Sequence, residues 1–131
     1  MATSGGEDGR MSAPFLAFDH VQLAMPPGRE DDARAFYTGT CGMTELPKPA
    51  ELAKRGGAWF ASGGVHVHLG VEPGFRASAK AHPALRCADL DALLERLRAA
   101  GHEAREDDSV PGTRRAFVTD PFGNRIELIA G

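Results

Sequence analysis

The sequence predicts an α+β fold that consists of two consecutive βαβββ modules. Short segments with alternating apolar residues, bounded by glycine or proline, indicate strands along most of the chain. Each half of the chain also contains one main helical pattern, which follows one strand and precedes three others. Because the same order occurs twice, we expect an internal duplication in which the helix of each module covers the apolar face of its strands.

The first module is predicted to begin near residue 15. The segment FLAFDHVQLAM (15–25) alternates as a strand does, and REDDARAFYTG (29–39) has its apolar residues at helical spacing before the helix breakers Gly39 and Gly42. Further strands are predicted at residues 43–46, 57–61 and 65–70, and the segment 47–56, which contains proline and lysine, is predicted as a loop.

The second module repeats this order. HPALRCA (82–88) is predicted as a strand, and DLDALLERLRAAG (89–101) as a helix, because its leucines recur at positions i, i+3, i+4 and i+7. Asp89 is placed to cap the start of this helix, and Gly101 is placed to end it in the left-handed conformation. Strands are then predicted at residues 102–106, 114–119 and 125–129, with the turn DPFGN before the last.

Composition excludes several classes of partner. A chain of 131 residues fits one compact domain, with a core that buries about two-thirds of the unfolded chain's surface. With 15 basic and 18 acidic residues and no basic cluster longer than a pair, the chain lacks the charge pattern that binds nucleic acid or anionic membranes. We therefore expect neither a nucleic-acid partner nor a membrane partner.

The cysteines and the N-terminus predict a cytoplasmic protein. Cys41 and Cys87 form no CxxC pair, and the first residues include no long apolar run of the kind that directs secretion. Residues 1–13 are small, polar and rich in glycine, which predicts a disordered tail ahead of a single domain at 14–131.

Two histidines occupy one face of a predicted strand in the stretch GGVHVHLG. Because successive side chains of a strand point to opposite faces, His66 and His68 share one face and the neighbouring apolar residues share the other. The duplication places further residues at corresponding positions. Each first strand carries a histidine, His20 or His82, and each last strand carries His68 or Glu127 four residues after a turn glycine.

Three stretches of the sequence resemble a known family. DHVQL, ARAFY and above all DPFGNRIEL, within the duplicated βαβββ order, resemble the vicinal oxygen chelate superfamily, which includes glyoxalases, extradiol dioxygenases, fosfomycin-resistance transferases and bleomycin-resistance proteins. The resemblance covers about residues 15–129. It implies an open, cup-shaped sheet of eight strands, formed by modules at about 15–71 and 82–130, with helices on the outer face and a divalent metal ion at the centre.

Carried over by position, the resemblance also implies which residues hold the metal ion. His20, His82 and Glu127 correspond to the shared ligands. His68 occupies the place where glyoxalases carry a further glutamate. Imidazole nitrogens with a carboxylate oxygen and open coordination positions suit Fe(II), and they also suit Mn, Ni, Co or Zn.

The proposed ligands also have purely structural interpretations. Without a metal ion, Glu127 would pair with Arg125 or Arg86. His20 would be a packed core histidine, and His82 would be a histidine at the start of a strand.

The remaining candidate residues have two interpretations each. His66 is either a proton shuttle beside the metal site or a solvated strand histidine. Trp59 and Phe117 either wall a substrate pocket or belong to the core, and strand alternation allows only one of Trp59 and Phe60 to face the cup. Arg115 either anchors an anionic group of the substrate or belongs to a solvated surface pair.

The resemblance implies a metal-dependent enzyme in which the metal ion chelates and polarises oxygen atoms of a small-molecule substrate. An isomerase or lyase of the glyoxalase type needs a base beside the metal, for which Glu127 is the candidate, whereas a ring-cleaving dioxygenase would use His66 or His68 as its acid or base. The alternative is a binding protein like the bleomycin-resistance members, which sequesters a small molecule without catalysis. Members of the family are commonly homodimers, although two modules in one chain can close the cup without a partner.

Overall fold

The computed structural model describes residues 12–131, which form eight strands and three helical segments. The strands are β1 (Val21–Met25), β2 (Thr44–Leu46), β3 (Ala58–Ser62), β4 (Val65–Val71), β5 (Ala84–Cys87), β6 (Arg105–Asp107), β7 (Arg115–Thr119) and β8 (Arg125–Ala130). The helices are α1 (Glu30–Arg34), which continues as a π-helix at Ala35–Thr40, α2 (Ala50–Ala53) and α3 (Leu90–Ala99). The predicted disordered tail lies almost entirely outside the described residues and stays a prediction.

The two modules have the same topology. The first sheet has the strand order β1-β4-β3-β2 and the second has the order β5-β8-β7-β6. In each sheet the first and last strands of the module pair in parallel, and the other pairs are antiparallel. The predicted α+β fold of two βαβββ modules is therefore confirmed, and its eight described strands form two open four-stranded sheets.

Strand register shows which positions of the two modules correspond. In the first sheet, His68 of β4 lies between Trp59 of β3 and Gln22 of β1. In the second sheet, Glu127 of β8 lies between Phe117 of β7 and Ala84 of β5. His68 and Glu127 therefore occupy the same position of their modules, as the comparison of the two halves of the sequence predicts.

The first strand is shorter than the sequence predicts. β1 starts at Val21, so His20 lies just ahead of it rather than within it. The preceding apolar residues Phe15, Leu16 and Phe18 are exposed and belong to no strand of the described chain. A strand needs a neighbour that accepts and donates its backbone hydrogen bonds, and apolar alternation alone does not reveal whether that neighbour exists.

Two helical segments differ from the prediction. The first helix continues through Gly39 as a π-helix, in which the amide of Cys41 donates to the carbonyl of Phe36 at 2.9 Å. The predicted loop at 47–56 contains the short helix α2, which follows Pro49, whose φ of −54° suits a helix start. Local hydrogen bonds stabilise both segments, and the spacing of apolar residues in the sequence does not predict those hydrogen bonds.

Helix α3 agrees with its prediction. Asp89 accepts a hydrogen bond from the amide of Ala92 at 3.1 Å. Gly101 ends the helical segment with a φ of 91°. The strand predicted at 102–106 is found at β6, because the chain first turns after the helix and packs the ring of His102 edge-on against Phe36.

One core joins the two modules. Buried apolar side chains from both modules form a continuous cluster, which includes Phe60 from the first module and Leu97 and Val118 from the second. Phe60 is fully buried and its ring stacks on that of Tyr37, with 5.1 Å between the ring centroids. Strand alternation therefore directs Trp59 to the opposite face of the first sheet.

A buried polar network also crosses between the modules. The hydroxyl of Tyr37 donates to Oδ2 of Asp120 at 2.8 Å, and the side-chain amide of Asn124 donates to the carbonyl of Ala24 at 2.8 Å. Asp120 also accepts hydrogen bonds from the backbone amides of Phe122 and Asn124, each at 2.9 Å. The turn DPFGN thus fastens the second module to the first.

Cys41 and Cys87 are free thiols, each partly buried against the core. Within residues 12–131, no helix is long and apolar enough to cross a membrane. The cytoplasmic location stays a prediction.

Candidate metal and substrate site

The four predicted metal ligands lie in the structure as two pairs, one in each module. His20 contacts His68 in the first module, and His82 contacts Glu127 in the second. Between residues 12 and 131, no group of three or more His, Cys, Asp or Glu side chains is arranged to hold a metal ion. The described chain therefore does not gather the four residues into one cluster, and their role as metal ligands stays a prediction.

The pair in the second module is a close contact between two potential ligand atoms. His82 lies just ahead of β5, and its Nε2 is 2.9 Å from Oε1 of Glu127 on β8. On the other side of the ring, Nδ1 of His82 is 2.8 Å from the backbone carbonyl of Lys80. Both ring nitrogens therefore face oxygen acceptors. The ring needs either two protons, or one proton and a bound cation, to satisfy both contacts.

The carboxylate of Glu127 is 7% exposed and is also held by an arginine. Nη1 of Arg115 donates to Oε2 of Glu127 at 3.0 Å. Burial raises the pKa of Glu127, but the hydrogen bonds from His82 and Arg115 outweigh burial and hold the pKa below its usual value. The carboxylate is therefore charged at neutral pH, as a metal ligand must be.

The sequence predicts Arg125 or Arg86 as the partner of this carboxylate, and that prediction is wrong. Arg115 lies on the neighbouring strand β7 and reaches the carboxylate diagonally, whereas the guanidinium of Arg125 lies over the ring of Phe117. The side chain of Arg115 is only 18% exposed and also contacts Asp107, so it does not belong to a solvated surface pair. Strand parity gives the face of each arginine, but not the direction in which its long side chain turns.

The pair in the first module belongs to a stack of three rings. The ring of His68 stacks on those of His20 and Trp59, with centroid separations of 4.1 and 4.2 Å and interplanar angles of 14° and 11°. Nδ1 of His20 lies 2.9 Å from Oδ1 of Asp19, an arrangement that fixes the orientation of the ring. Burial lowers the pKa of His68, and the rings of His20 and His66 lower it further, so the neutral form is favoured.

The other candidate residues lie on the same faces as these pairs. His66 is on β4, beside Ala61 of β3. Phe117 packs edge-on against His82, with 5.5 Å between the ring centroids. The aromatic residues Trp59 and Phe117 therefore contact the candidate ligands instead of filling the shared core.

A cavity of about 790 Å³ lies between β1 and β5. Its walls include His20 and His66 from the first module and His82 from the second, together with Phe75 and Arg76 of the segment that connects the modules. A volume of this order suits a small organic molecule. The connecting residues carry no motif, so the sequence did not identify them as part of the site.

The donor atoms of the second pair fit a divalent metal ion. Two ligands at adjacent positions of an octahedral centre, with bonds of about 2.1 Å, lie about 3.0 Å apart. The separation of 2.9 Å between Nε2 of His82 and Oε1 of Glu127 is that of a hydrogen bond, and it is also compatible with this spacing. Imidazole nitrogen and carboxylate oxygen also suit Fe, Mn, Co, Ni or Zn, so the residues fit the kind of metal ion that the sequence implies.

Comparison with known proteins identifies the family. Residues 17–128 match the Glyoxalase/Bleomycin resistance protein/Dioxygenase superfamily, and the chain belongs to this superfamily. A crystal structure of a protein from Bacillus anthracis, described as a member of the glyoxalase family, is 45% identical with a TM-score of 0.88, over 92% of this chain and 99% of that chain. The resemblance seen in the sequence is therefore confirmed.

Other similar structures have different described roles. TnmS3, an antibiotic-binding protein from a Streptomyces species, is 26% identical with a TM-score of 0.62, over 88% of this chain and 98% of that chain. FosX, a fosfomycin resistance protein from Listeria monocytogenes, shares the fold at 20% identity with a TM-score of 0.71, over 89% of this chain and 94% of that chain. No curated protein matches the chain. The family includes both resistance proteins and antibiotic-binding proteins, so membership does not select a reaction.

Proposed function

We propose that the protein is a metal-dependent enzyme that acts on a small, oxygen-containing substrate. The proposed ligands of one divalent metal ion are His20, His68, His82 and Glu127. The main support is the contact between His82 and Glu127, in which a ring nitrogen and a charged carboxylate oxygen meet at the spacing of adjacent metal ligands. The carbonyl of Lys80 accepts a hydrogen bond from the other ring nitrogen and so directs Nε2 toward the site.

When bound, the metal ion would supply Lewis acidity, which polarises substrate oxygen atoms and stabilises negative charge on them. The residues of the chain position the groups around it. Arg115 holds Oε2 of Glu127 and so orients the carboxylate. Asp19 orients the ring of His20 in the same way that Lys80 orients His82. Trp59 stacks on the ring of His68 and Phe117 packs edge-on against the ring of His82, which restricts the orientation of both rings.

Two types of reaction differ in the group that moves the proton. In an isomerase or lyase reaction, we assign the base to the carboxylate of Glu127, because it is charged at neutral pH and lies at the proposed metal site. In a ring-cleaving dioxygenase, the acid or base would be His66, which lines the cavity. His68 is less suited to this task because His20 and Trp59 stack on its ring.

Metal content tests this proposal. The protein is purified without an affinity tag or chelator and its metal content is measured by mass spectrometry, beside the variants His82→Ala and His102→Ala. His102 packs against Phe36 in the core and serves as the control. We expect near-stoichiometric metal in the wild type and in the control, and little metal in His82→Ala. A wild-type protein that neither contains nor takes up metal would contradict the proposal.

A second candidate function is a binding protein that sequesters a small molecule without catalysis. One observation favours it: both oxygens of Glu127 are already engaged, by His82 and by Arg115, so the ion pair is complete without a metal ion. The cavity between β1 and β5 would then hold the bound molecule. Stoichiometric binding of an antibiotic by a metal-free His20→Ala variant would favour this function over the enzyme.

We also infer that the protein forms a homodimer. Phe15 and Phe18 are 85% and 92% exposed, and they lie within the five residues that precede the candidate ligand His20. Apolar side chains with this exposure in one short segment mark a surface that associates with another molecule, and a second copy of the chain would cover it. Light scattering should give the mass of a dimer for the wild type and for Val110→Ser, and the mass of a monomer for Phe18→Ser. A monomeric wild type would refute the inference.

A further inference from the structure

The second sheet carries arginines at two positions where the first sheet carries a leucine and a histidine. The correspondence follows from the register on either side of Trp59 in the first module and of Phe117 in the second. At equivalent positions stand Leu46 and Arg105, and His66 and Arg125. Because the first module forms the same topology without them, the fold does not require these two arginines.

Arg125 is positioned by an aromatic ring rather than by a carboxylate. Its guanidinium carbon lies 4.2 Å from the centroid of Phe117. Within residues 12–131, no acidic side chain lies at ion-pair distance from Arg125. The same ring contacts His82 edge-on and has the guanidinium of Arg115 at 5.2 Å. Phe117 thus connects an unpaired cation to the candidate metal pair.

A second cavity, of about 630 Å³, is lined by Phe117, Arg105 and Arg125. Arg125 precedes Glu127 by two residues on β8, so both side chains point to this face of the sheet, with backbones about 6–7 Å apart. Nε of Arg115 is also buried, and among the described residues it has no hydrogen-bond partner. Phe117 therefore lies beside one buried donor, Nε of Arg115, and beside the guanidinium of Arg125.

The acidic residues of this cavity limit the charge of its ligand. They are Glu103, Glu106, Asp107 and Asp108. Asp107 pairs with Arg115 at 3.3 Å and Glu106 pairs with Arg114 at 3.1 Å, whereas the other two are exposed. Two exposed acids, Glu103 and Asp108, thus lie in the same cavity as Arg105 and Arg125, neither of which forms an ion pair with a carboxylate among residues 12–131. This balance suits a single negative charge bound directly at an arginine better than a dianion such as phosphate.

From this arrangement we infer that the substrate is a small monocarboxylic acid, whose carboxylate binds Arg125 above Phe117, with Arg105 beside it. The inference rests on the proposed function, since the substrate's other oxygen atoms would reach the His82 and Glu127 pair. The spacing of about 6–7 Å along β8 corresponds to a few bonds between the carboxylate and the reacting oxygen atoms. A neutral analogue would leave the guanidinium of Arg125 without a partner, and so would bind more weakly.

Calorimetric titration of the full chain with benzoate and benzamide tests this inference. The two probes have nearly the same shape and differ in charge. We expect benzoate to bind at least about tenfold more tightly than benzamide, and inorganic phosphate to compete poorly. The preference should disappear in Arg125→Gln and weaken in Arg105→Leu, which introduces the residue found at the equivalent position of the first module. Arg114→Gln is the control, because Arg114 pairs with Glu106 and Asp91 away from Phe117.

Each titration is carried out with chelator-treated protein and again with metal added, so that the two proposals fail separately. Loss of metal binding with an intact, Arg125-dependent preference would overturn the metal-dependent function alone. Equal binding of the two probes, or an unchanged preference in Arg125→Gln, would overturn the carboxylate site, whatever the metal content. If Arg125→Gln does not fold, Arg125→His replaces it at a pH where histidine is neutral, because the first module folds with His66 at that position.

Discussion

Replacing Glu127 by glutamine distinguishes a metal site from a purely structural ion pair. The substitution keeps the size of the side chain and removes its charge. In the absence of metal, Glu127→Gln weakens the hydrogen bonds from His82 and Arg115 to a side chain that is only 7% exposed. Breaking a buried, charge-assisted contact of this kind should lower the free energy of unfolding by about 2–3 kcal/mol.

The rise in Tm on addition of metal should also differ between the wild type and Glu127→Gln, and this second difference decides between a metal site and an ion pair. A metal ion at about 100 times its dissociation constant stabilises the folded protein by about 2.7 kcal/mol. In a chain of 131 residues each kcal/mol raises the Tm by roughly 4 °C, so the wild-type Tm should rise by about 10 °C. If Glu127→Gln binds the metal about a hundredfold more weakly, the same concentration stabilises it by only about 0.4 kcal/mol, which raises its Tm by roughly 2 °C.

Thermal unfolding of chelator-treated protein, with and without added Mn²⁺, Ni²⁺ or Zn²⁺, measures both effects. Fluorescence of Trp59, the single tryptophan of the chain, reports the transition. Glu106→Gln is the matched control, because Glu106 is an exposed carboxylate that pairs with Arg114 on the other face of the second sheet. An equal rise in Tm for wild type and Glu127→Gln would refute Glu127 as a ligand. No rise in either protein would favour the binding protein.

The buried network and the thiols give two further predictions. Tyr37→Phe removes a donor to the buried Asp120 and should lower the free energy of unfolding, measured by urea denaturation, by about 1.5–3 kcal/mol. The control Thr38→Val, at an exposed position of the same helical segment, should change it by less than about 0.5 kcal/mol, and an equal effect of both would contradict a stabilising role of the network. Burial raises the pKa of Cys41 to about 11, so at neutral pH its thiol should react with a maleimide more than about a hundredfold more slowly than in the urea-unfolded chain. Because the folded pKa is the higher one, the protonated thiol favours folding below the unfolded pKa of about 8.5, and this contribution is lost as the pH rises toward 11. Rapid labelling of Cys41 in the folded protein at neutral pH would show that the thiol is not buried in solution.

Most of the secondary structure can be predicted from local patterns, because each type of element has its own period. The leucine spacing of α3 and the alternation of β4 and β8 correctly give their buried faces. The prediction fails where the outcome depends on distant residues. The segment 15–20 alternates as a strand does, but no strand of the described chain pairs with it. The π-helical turn depends on a hydrogen bond between Cys41 and Phe36 that residue type does not reveal.

The sequence supplies candidate site residues and the strand faces on which they lie, but not the contacts that they make. The duplicated order and the DPFGNRIEL motif give the candidate histidines and glutamate and correctly indicate the family. These features are local, so they can be read along the chain. Which of the candidate residues touch depends on the parallel register of β1 with β4 and of β5 with β8, which joins His82 to a glutamate 45 residues away.

The partner of Glu127 illustrates the physical reason. Several arginines of the second module lie within reach of this face, and strand parity treats Arg115 and Arg125 alike. An arginine side chain is long enough to turn toward different neighbours, and the choice depends on what surrounds its guanidinium. Asp107 and the buried carboxylate of Glu127 hold Arg115 by ion pairs, whereas Arg125 is held over the ring of Phe117. The amino-acid order thus specifies the modules, the family and the chemistry available, and the packing of the folded chain selects the contacts among them.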